Sequence, residues 1–367
     1  MNPTNDVLEK RVAELEHGVA ALAVASGMAA IEYALITLAR QGDNIVTTPQ
    51  LYGGTYTLFQ HMLPSFGIEV RFAESDKAED IGKLIDDKTK AVFCESIGNP
   101  AGNIADLEGY AEVAHQHGVP LVVDNTVATP ILCKPIDFGA DIVVHSLTKY
   151  IGGHGNSVGG LIVDGGRFDW VKQKQRFPQF SSPEPAYHGV VYTDAFGPAA
   201  FIARVRTVAL RNTGACLSPF NAFLLLQGLE TLPLRIERHC DNALKVAEYL
   251  QSHPNVDWVN FAALPEHTNY ERAKKYIKNG VPASLLTFGV KGGYDAGVAF
   301  YDKLKLFKRL VNIGDAKSLA CHPASTTHRQ LSAEEQASVA VKPEAIRLCV
   351  GIENAEDIIA DIFQALA

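Results

Sequence analysis

DIVVHSLTKYIGGHGNSVGG, residues 141–160, is an apolar run that stops abruptly at two hydroxyls, a lysine and a set of glycines. Ile142, Val143 and Val144 have the character of a buried strand, so Lys149 is expected just past its carboxyl end, where open α/β sheets place their ligands. Partial desolvation there lowers an ammonium pKa, and a lysine that is neutral part of the time can form a Schiff base. Ser146 and Thr148 offer hydroxyl donors to an anion held beside it. A solvated lysine in a glycine-rich loop is the other reading of this stretch taken alone. A nucleotide P-loop does not fit, because Lys149 precedes the glycines and Tyr150 follows it.

Outward from this stretch, GIEVRFAE, KAVFCES and VPLVVDNT are further strand-like runs, separated by helical stretches such as residues 105–117. That alternation predicts an α/β fold with a parallel sheet covered on both faces. Asp124 closes VPLVVD at a strand's carboxyl end, next to Asn125 and Thr126. With one helix-sized connection between them, Asp124 and Lys149 arrive from neighbouring strands at the same sheet edge. A carboxylate and an amine so placed are the signature of pyridoxal 5'-phosphate: the acid pairs with the pyridinium nitrogen and the lysine holds the aldehyde. At an effective dielectric of about 20 such a pair is worth roughly 4 kcal/mol.

The chain opens with a predicted helix, in which Asp6 and Glu9 fit a capping box and Leu8, Val12, Leu15 and Val19 recur at helical spacing. Residues 18–39 are almost continuously apolar over a length that could span a bilayer, but Ser26, Gly27 and Glu32 interrupt them. They read as a short buried element ending near Val24, a turn at Ser26 and Gly27, and a buried helix from Met28. The N–H groups of Gly27 and Met28 then form an anion site at a helix start, or are simply capped. Residues 44–48 read as a strand leading to Tyr52, which is free to stack on a flat ring or to cover the core.

Composition narrows the function classes. The 367 residues are 47% hydrophobic and 20% charged, enough for one large domain and a smaller one. A formal net charge of -8 argues against nucleic acid or an anionic membrane as partner. Six scattered cysteines without CxxC spacing read as free thiols in a reducing compartment, and twelve histidines without an HExxH pattern give no metal site. No basic-then-apolar signal opens the chain, so the cytoplasm is the expected location. A large cofactor-binding domain is expected over 1–230 and a smaller α/β domain over 231–367. Residues 173–193, rich in Pro, Phe, Tyr and Ser, read as an excursion over the large domain. Arg347 sits in the apolar run 345–350, where a guanidinium calls for a carboxylate, either from a ligand or from an internal salt bridge.

Blocks spread over nearly the whole chain carry a resemblance: NPTNDVLEKRVAELE, ASGMAAI, PQLYGGTY, ESIGNPAG, VVDNTVATP, HSLTKYIGGHG, SPFNAFLLLQGLETLPLR, NIGDAKSLACHPASTTH and IRLCVGIE. In this order they resemble the Cys/Met-metabolism branch of the fold-type I pyridoxal-phosphate enzymes, within it the O-acetylhomoserine sulfhydrylases. The resemblance implies that Lys149 binds the cofactor and moves protons, Asp124 pairs with the ring nitrogen, and Tyr52 stacks on the ring. Gly27, Met28, Ser146 and Thr148 would hold the phosphate; apart from the resemblance, the positions of Thr126 and Glu95 at strand ends make Thr126 a further candidate at the cofactor and Glu95 a structural acid behind it. Asn99, Ser318 and Arg347 would receive the substrate, Arg347 taking its carboxylate.

The activity implied is replacement of acetate in O-acetyl-L-homoserine by sulfide or methanethiol, giving homocysteine or methionine, in a homo-oligomer, dimer or tetramer. A cystathionine or methionine γ-lyase and a non-catalytic paralogue acting as an interaction subunit are the rivals. Family members usually carry a Tyr-x-Arg arm ahead of the Asn2, Pro3, Thr4 segment, and none precedes it in this sequence. The expectation is weaker cofactor retention and reduced activity.

Overall fold

A computed structural model describes residues 2–99, 102–326 and 342–367. Pro100, Ala101, Thr327 and His328, which end or interrupt two of the resembling blocks, lie outside the described residues. The chain forms two compact units. The first comprises Met1–Gly98, Ala105–Gly152 and Asn156–Leu229. The second takes Glu230–Ala367 together with Asn99–Ile104 and Gly153–Gly155, two short segments inside the range expected for the large domain.

The first unit is built on a seven-stranded sheet: β1 (Ala20–Val24), β2 (Asn44–Thr47), β3 (Glu69–Phe72), β4 (Thr89–Glu95), β5 (Leu121–Asp124), β6 (Ile142–Ser146) and β7 (Gly160–Asp164). Their spatial order is β1-β7-β6-β5-β4-β2-β3. All neighbours run parallel except β7, which is antiparallel to both β1 and β6. Val122, Val123, Val143 and Val144 are fully buried whichever way they point, as strands covered on both faces require. The apolar run at 18–39 divides between β1 and helix α2 (Gly27–Leu38), and no helix among the described residues is long and apolar enough to cross a membrane.

Two expectations are corrected here. The first helix, α1 (Pro3–Leu15), starts one turn earlier than an Asp6 capping box would place it: Asn2 is the cap, its side chain accepting from Thr4 N–H, and Pro3 opens the helix. Asp6 instead pairs with Lys10 on the surface, and Glu9 is buried, accepting from Ala23 N–H and pairing with Arg206. Residues 173–193 are not wholly an excursion, since Phe177, Phe180 and Tyr192 are fully buried in the main core. Trp170 packs edge-on to Phe177 and tilted on Phe180, with centroids 5.3 and 4.2 Å apart. Phe180 and Tyr192 stand in helices of four and five residues, Pro178–Ser181 and Tyr192–Phe196, too short to show a helical period.

The second unit holds a five-stranded sheet of order β10-β11-β12-β9-β8, from β8 (Val256–Asn260), β9 (Leu285–Val290), β10 (Lys308–Arg309), β11 (Leu319–Cys321) and β12 (Ala345–Cys349). Helices Leu232–Ser252, Gly293–Lys303 and Ala355–Leu366 pack with it around Phe288, Phe300, Ile346 and Ile358. Arg347 is central in β12, level with Thr287 of β9 and Cys321 of β11.

Candidate active site

In the first unit the carboxyl ends of β4, β5 and β6 bring Glu95, Asp124 and Ser146 to one edge. Glu95 and Asp124 are level in the β4–β5 ladder, and Asn125 N–H extends the β5–β6 ladder by donating to Val144 C=O. Past β6 the chain turns, with Lys149 N–H donating to Ser146 C=O at 3.3 Å and Gly152 N–H to Leu147 C=O at 2.9 Å. Lys149 therefore sits on a hydrogen-bonded turn just past β6, the strand next to the one that ends in Asp124.

Asp124 Oδ1 accepts from Thr126 N–H at 2.9 Å, and Thr126 Oγ1 accepts from Ser146 N–H at 2.8 Å, tying the ends of β5 and β6 together. Burial raises the Asp124 pKa above the ordinary carboxylate value, opposed by its bonds to Thr126 and by His145. A carboxyl in such a place is brought back to the ionised state by a cation, which is what a protonated ring nitrogen provides.

The anion cradle is local to the same edge. Ser26 caps α2, its Oγ accepting from Ala29 N–H, which leaves the first N–H groups of the helix without intrahelical partners. Gly27 packs directly on Ser146: a Cβ there would lie 2.6 Å from the serine Cβ, so only glycine lets this helix start approach β6. Thr148 Oγ1 accepts from Gly159 N–H at 3.1 Å and lies 3.2 Å from Gly159 C=O. Tyr52 is 47% exposed, and its N–H donates to the buried Glu95 carboxylate at 2.6 Å. Gly54 lies against its ring, and a Cβ on Gly54 would also meet the Met28 sulfur at 3.3 Å. These residues fit a phosphorylated pyridinium aldehyde: donors for a phosphate, an exposed ring, an acid and a lysine.

In the second unit Arg347 is buried, with Nη1 donating to Asn99 Oδ1 at 3.2 Å and Nη2 reaching Asn312 C=O at 3.5 Å. No carboxylate lies within ion-pairing distance of it among the described residues, so the internal salt bridge left open by the sequence is not formed there. A buried guanidinium held only by amide oxygens is suited to an incoming carboxylate. Ser318 is fully buried and differently engaged: its hydroxyl donates to Glu353 at 2.9 Å and accepts from Gly351 N–H at 2.8 Å. Its polar capacity is used in holding the turn after β12.

Sequence reasoning did not find the bond from Tyr52 N–H to Glu95, the place of Asn312 beside Arg347, or a buried carboxylate at Glu16 that reaches His145. The signal available for the last was a histidine inside an otherwise apolar strand. A cleft of 480 Å³ opens at the other end of the sheet, where β2, β3 and β4 begin; there Arg71 is already paired with Glu69 and Asp86.

A mostly parallel sheet with an acid at the end of one strand, a lysine just past the end of the next and a helix start beside them is the architecture of a cofactor-binding α/β enzyme. The model of the Cys/Met metabolism PLP-dependent enzyme family matches residues 1–367, and the chain belongs to that family. It is 55% identical over 367 residues to a homocysteine synthase of Schizosaccharomyces pombe, covering all of this chain and 85% of that protein. It is 53% identical over 369 residues to O-acetyl-L-homoserine sulfhydrylase 1 of Thermus thermophilus, covering 100% and 87%. A crystal structure from Campylobacter jejuni, a putative O-acetylhomoserine (thiol)-lyase holding a pyridoxyl-lysine phosphate, superposes with a TM-score of 0.95 at 45% identity, over 100% of this chain and 86% of that one. The protein is thus a pyridoxal-phosphate-dependent enzyme of fold type I.

Proposed function

We propose that this enzyme catalyses γ-replacement: sulfide displaces acetate from O-acetyl-L-homoserine, giving homocysteine, with methanethiol giving methionine by the same route. The observation that supports the reading is that Asp124 ends β5 while Lys149 follows the end of the adjoining β6, beside the Gly27–Ser146 contact. The activities of the relatives, a homocysteine synthase and an O-acetyl-L-homoserine sulfhydrylase by name, point to the substrate. When bound, pyridoxal phosphate supplies an electron sink that acidifies the substrate's Cα–H and lets the γ-substituent leave.

The chain's own residues do the rest. Asp124 holds a proton on the ring nitrogen, Gly27 and Met28 N–H with Ser146 and Thr148 bind the phosphate, and Tyr52 covers the ring. For Thr148 that role means exchanging its 3.2 Å contact with Gly159 C=O. Thr126 fixes the β5 and β6 ends, and Glu95 fixes the Tyr52 backbone. Lys149 Nζ anchors the aldehyde, takes the α-proton and returns it. Arg347, steadied by Asn99, binds the substrate carboxylate, and Ser318 contributes by fixing the turn beyond β12.

The test is to supply pyridoxal phosphate, O-acetylhomoserine and sulfide and look for homocysteine. Formation of 2-oxobutanoate and ammonia without any need for a thiol would assign the enzyme to the γ-lyases instead, and no product from any of these would favour a non-catalytic subunit. Arg347→Ala is expected to raise KM for O-acetylhomoserine on the order of a hundredfold while moving that for sulfide little, since only the former carries a carboxylate. Equal shifts in both would remove Arg347 from this role.

Self-association and location extend the proposal. Phe220, Phe223 and Val158 are exposed in the first unit, and Asn221, which donates to Val158 C=O, lies between the two phenylalanines in sequence; exposed apolar side chains of this kind suit association with a second copy of the chain. Free cysteines at all six positions suit the reducing cytoplasm.

A further inference from the structure

Glu16, which closes α1, is fully buried beneath the sheet. Its Oε1 accepts from His145 Nε2 at 2.6 Å and from Asn125 Nδ2 at 2.8 Å, and Ser96 Oγ donates to the Asn125 amide oxygen at 2.8 Å. Ser96, Asn125 and His145 each adjoin a residue of the cofactor edge: Glu95, Asp124 and Ser146. Because side chains alternate along a strand, this network occupies the face opposite Asp124 and Ser146. Two of its buried atoms have no partner among the described residues, Glu16 Oε2 and His145 Nδ1.

A network left partly unsatisfied costs more than apolar packing would, so packing alone does not account for it. A fully buried carboxylate needs a cation, and no lysine or arginine reaches Glu16 among the described residues. His145, with Nε2 2.6 Å from Glu16 Oε1, is the group placed to be its counter-ion.

We propose that Glu16 holds His145 as an imidazolium behind β5, and that this buried pair keeps Asp124 ionised against the ring nitrogen of the cofactor. Glu16 and His145 are positioning residues, acting through Asp124. The inference rests on the reading of Asp124 given above. In support, His145 lowers the Asp124 pKa against the opposing effect of burial. The other titratable groups facing this region are Glu95, level with Asp124 and bonded to Tyr52 N–H, and the thiols of Cys94 and Cys133, which burial pushes well above their ordinary values and so keeps neutral.

The experiment measures the affinity of cofactor-free protein for pyridoxal phosphate and for its carbocyclic analogue, in which C–H replaces the ring nitrogen. Wild type is expected to prefer pyridoxal phosphate by about tenfold or more, and Glu16→Gln to shrink the preference to within about threefold. Glu16→Asp, which keeps the charge, should restore it. Glu9→Gln, on the same helix but bonded to Ala23 and Arg206, should leave it unchanged. Should Glu16→Gln fail to fold, His145→Gln is expected to lower the preference in the same way. Equal weakening of both ligands in the variant, or no change in either, overturns the inference. A wild type that does not distinguish the two ligands overturns the reading of Asp124 and this inference with it.

Discussion

Lys149→Ala is expected to abolish the visible absorption of the lysine-bound cofactor and to lower turnover by about a thousandfold or more, while circular dichroism and thermal melting of the cofactor-free protein stay near wild type. The loss is large because one amine is both anchor and base, and general acid–base transfer by itself is worth about 10²–10⁴. Folding is expected to survive because backbone bonds hold the turn that carries the side chain, from Lys149 N–H to Ser146 C=O and from Gly152 N–H to Leu147 C=O. A variant with full turnover would remove Lys149 from the chemistry.

Asp124→Asn carries the second large effect. A close carboxylate–pyridinium pair at an effective dielectric of about 20 contributes roughly 4 kcal/mol, so losing it should lower turnover on the order of a thousandfold. Stability should move the other way or not at all. Burial outweighs the lowering by His145 and leaves the folded pKa of this acid raised, so in the cofactor-free protein its ionisation costs stability as pH rises through and beyond its ordinary value. Asparagine keeps the acceptor for Thr126 N–H without that cost. Melting of the cofactor-free variant at neutral pH is therefore expected at or above wild type. A large drop in melting temperature together with lost turnover would make Asp124 a structural residue rather than the ring partner.

Much of this was legible in the sequence because the site lies where strands stop. The valines of β5 and β6 end at Asp124 and at Ser146, so the edge and its neighbours follow from hydropathy alone. The direction of β7 was not legible: GLIVD is as apolar as its parallel neighbours, and only the tight return from β6 through the glycines makes it antiparallel. At the amino terminus Asn2 and Asp6 are both plausible caps, and Pro3 decides between them by favouring the first helical position. Arg347 stood out as a cation in an apolar strand, but that amides rather than acids hold it is a tertiary fact. The Glu16–His145 pair joins residues separated by 129 positions, beyond the reach of any local pattern.

The most direct measurement is borohydride reduction of the cofactor-loaded enzyme followed by peptide mapping. A phosphopyridoxyl group on the peptide that carries Lys149, at about one per chain, is the predicted result. Labelling confined to another lysine, or none after loading, would contradict the account.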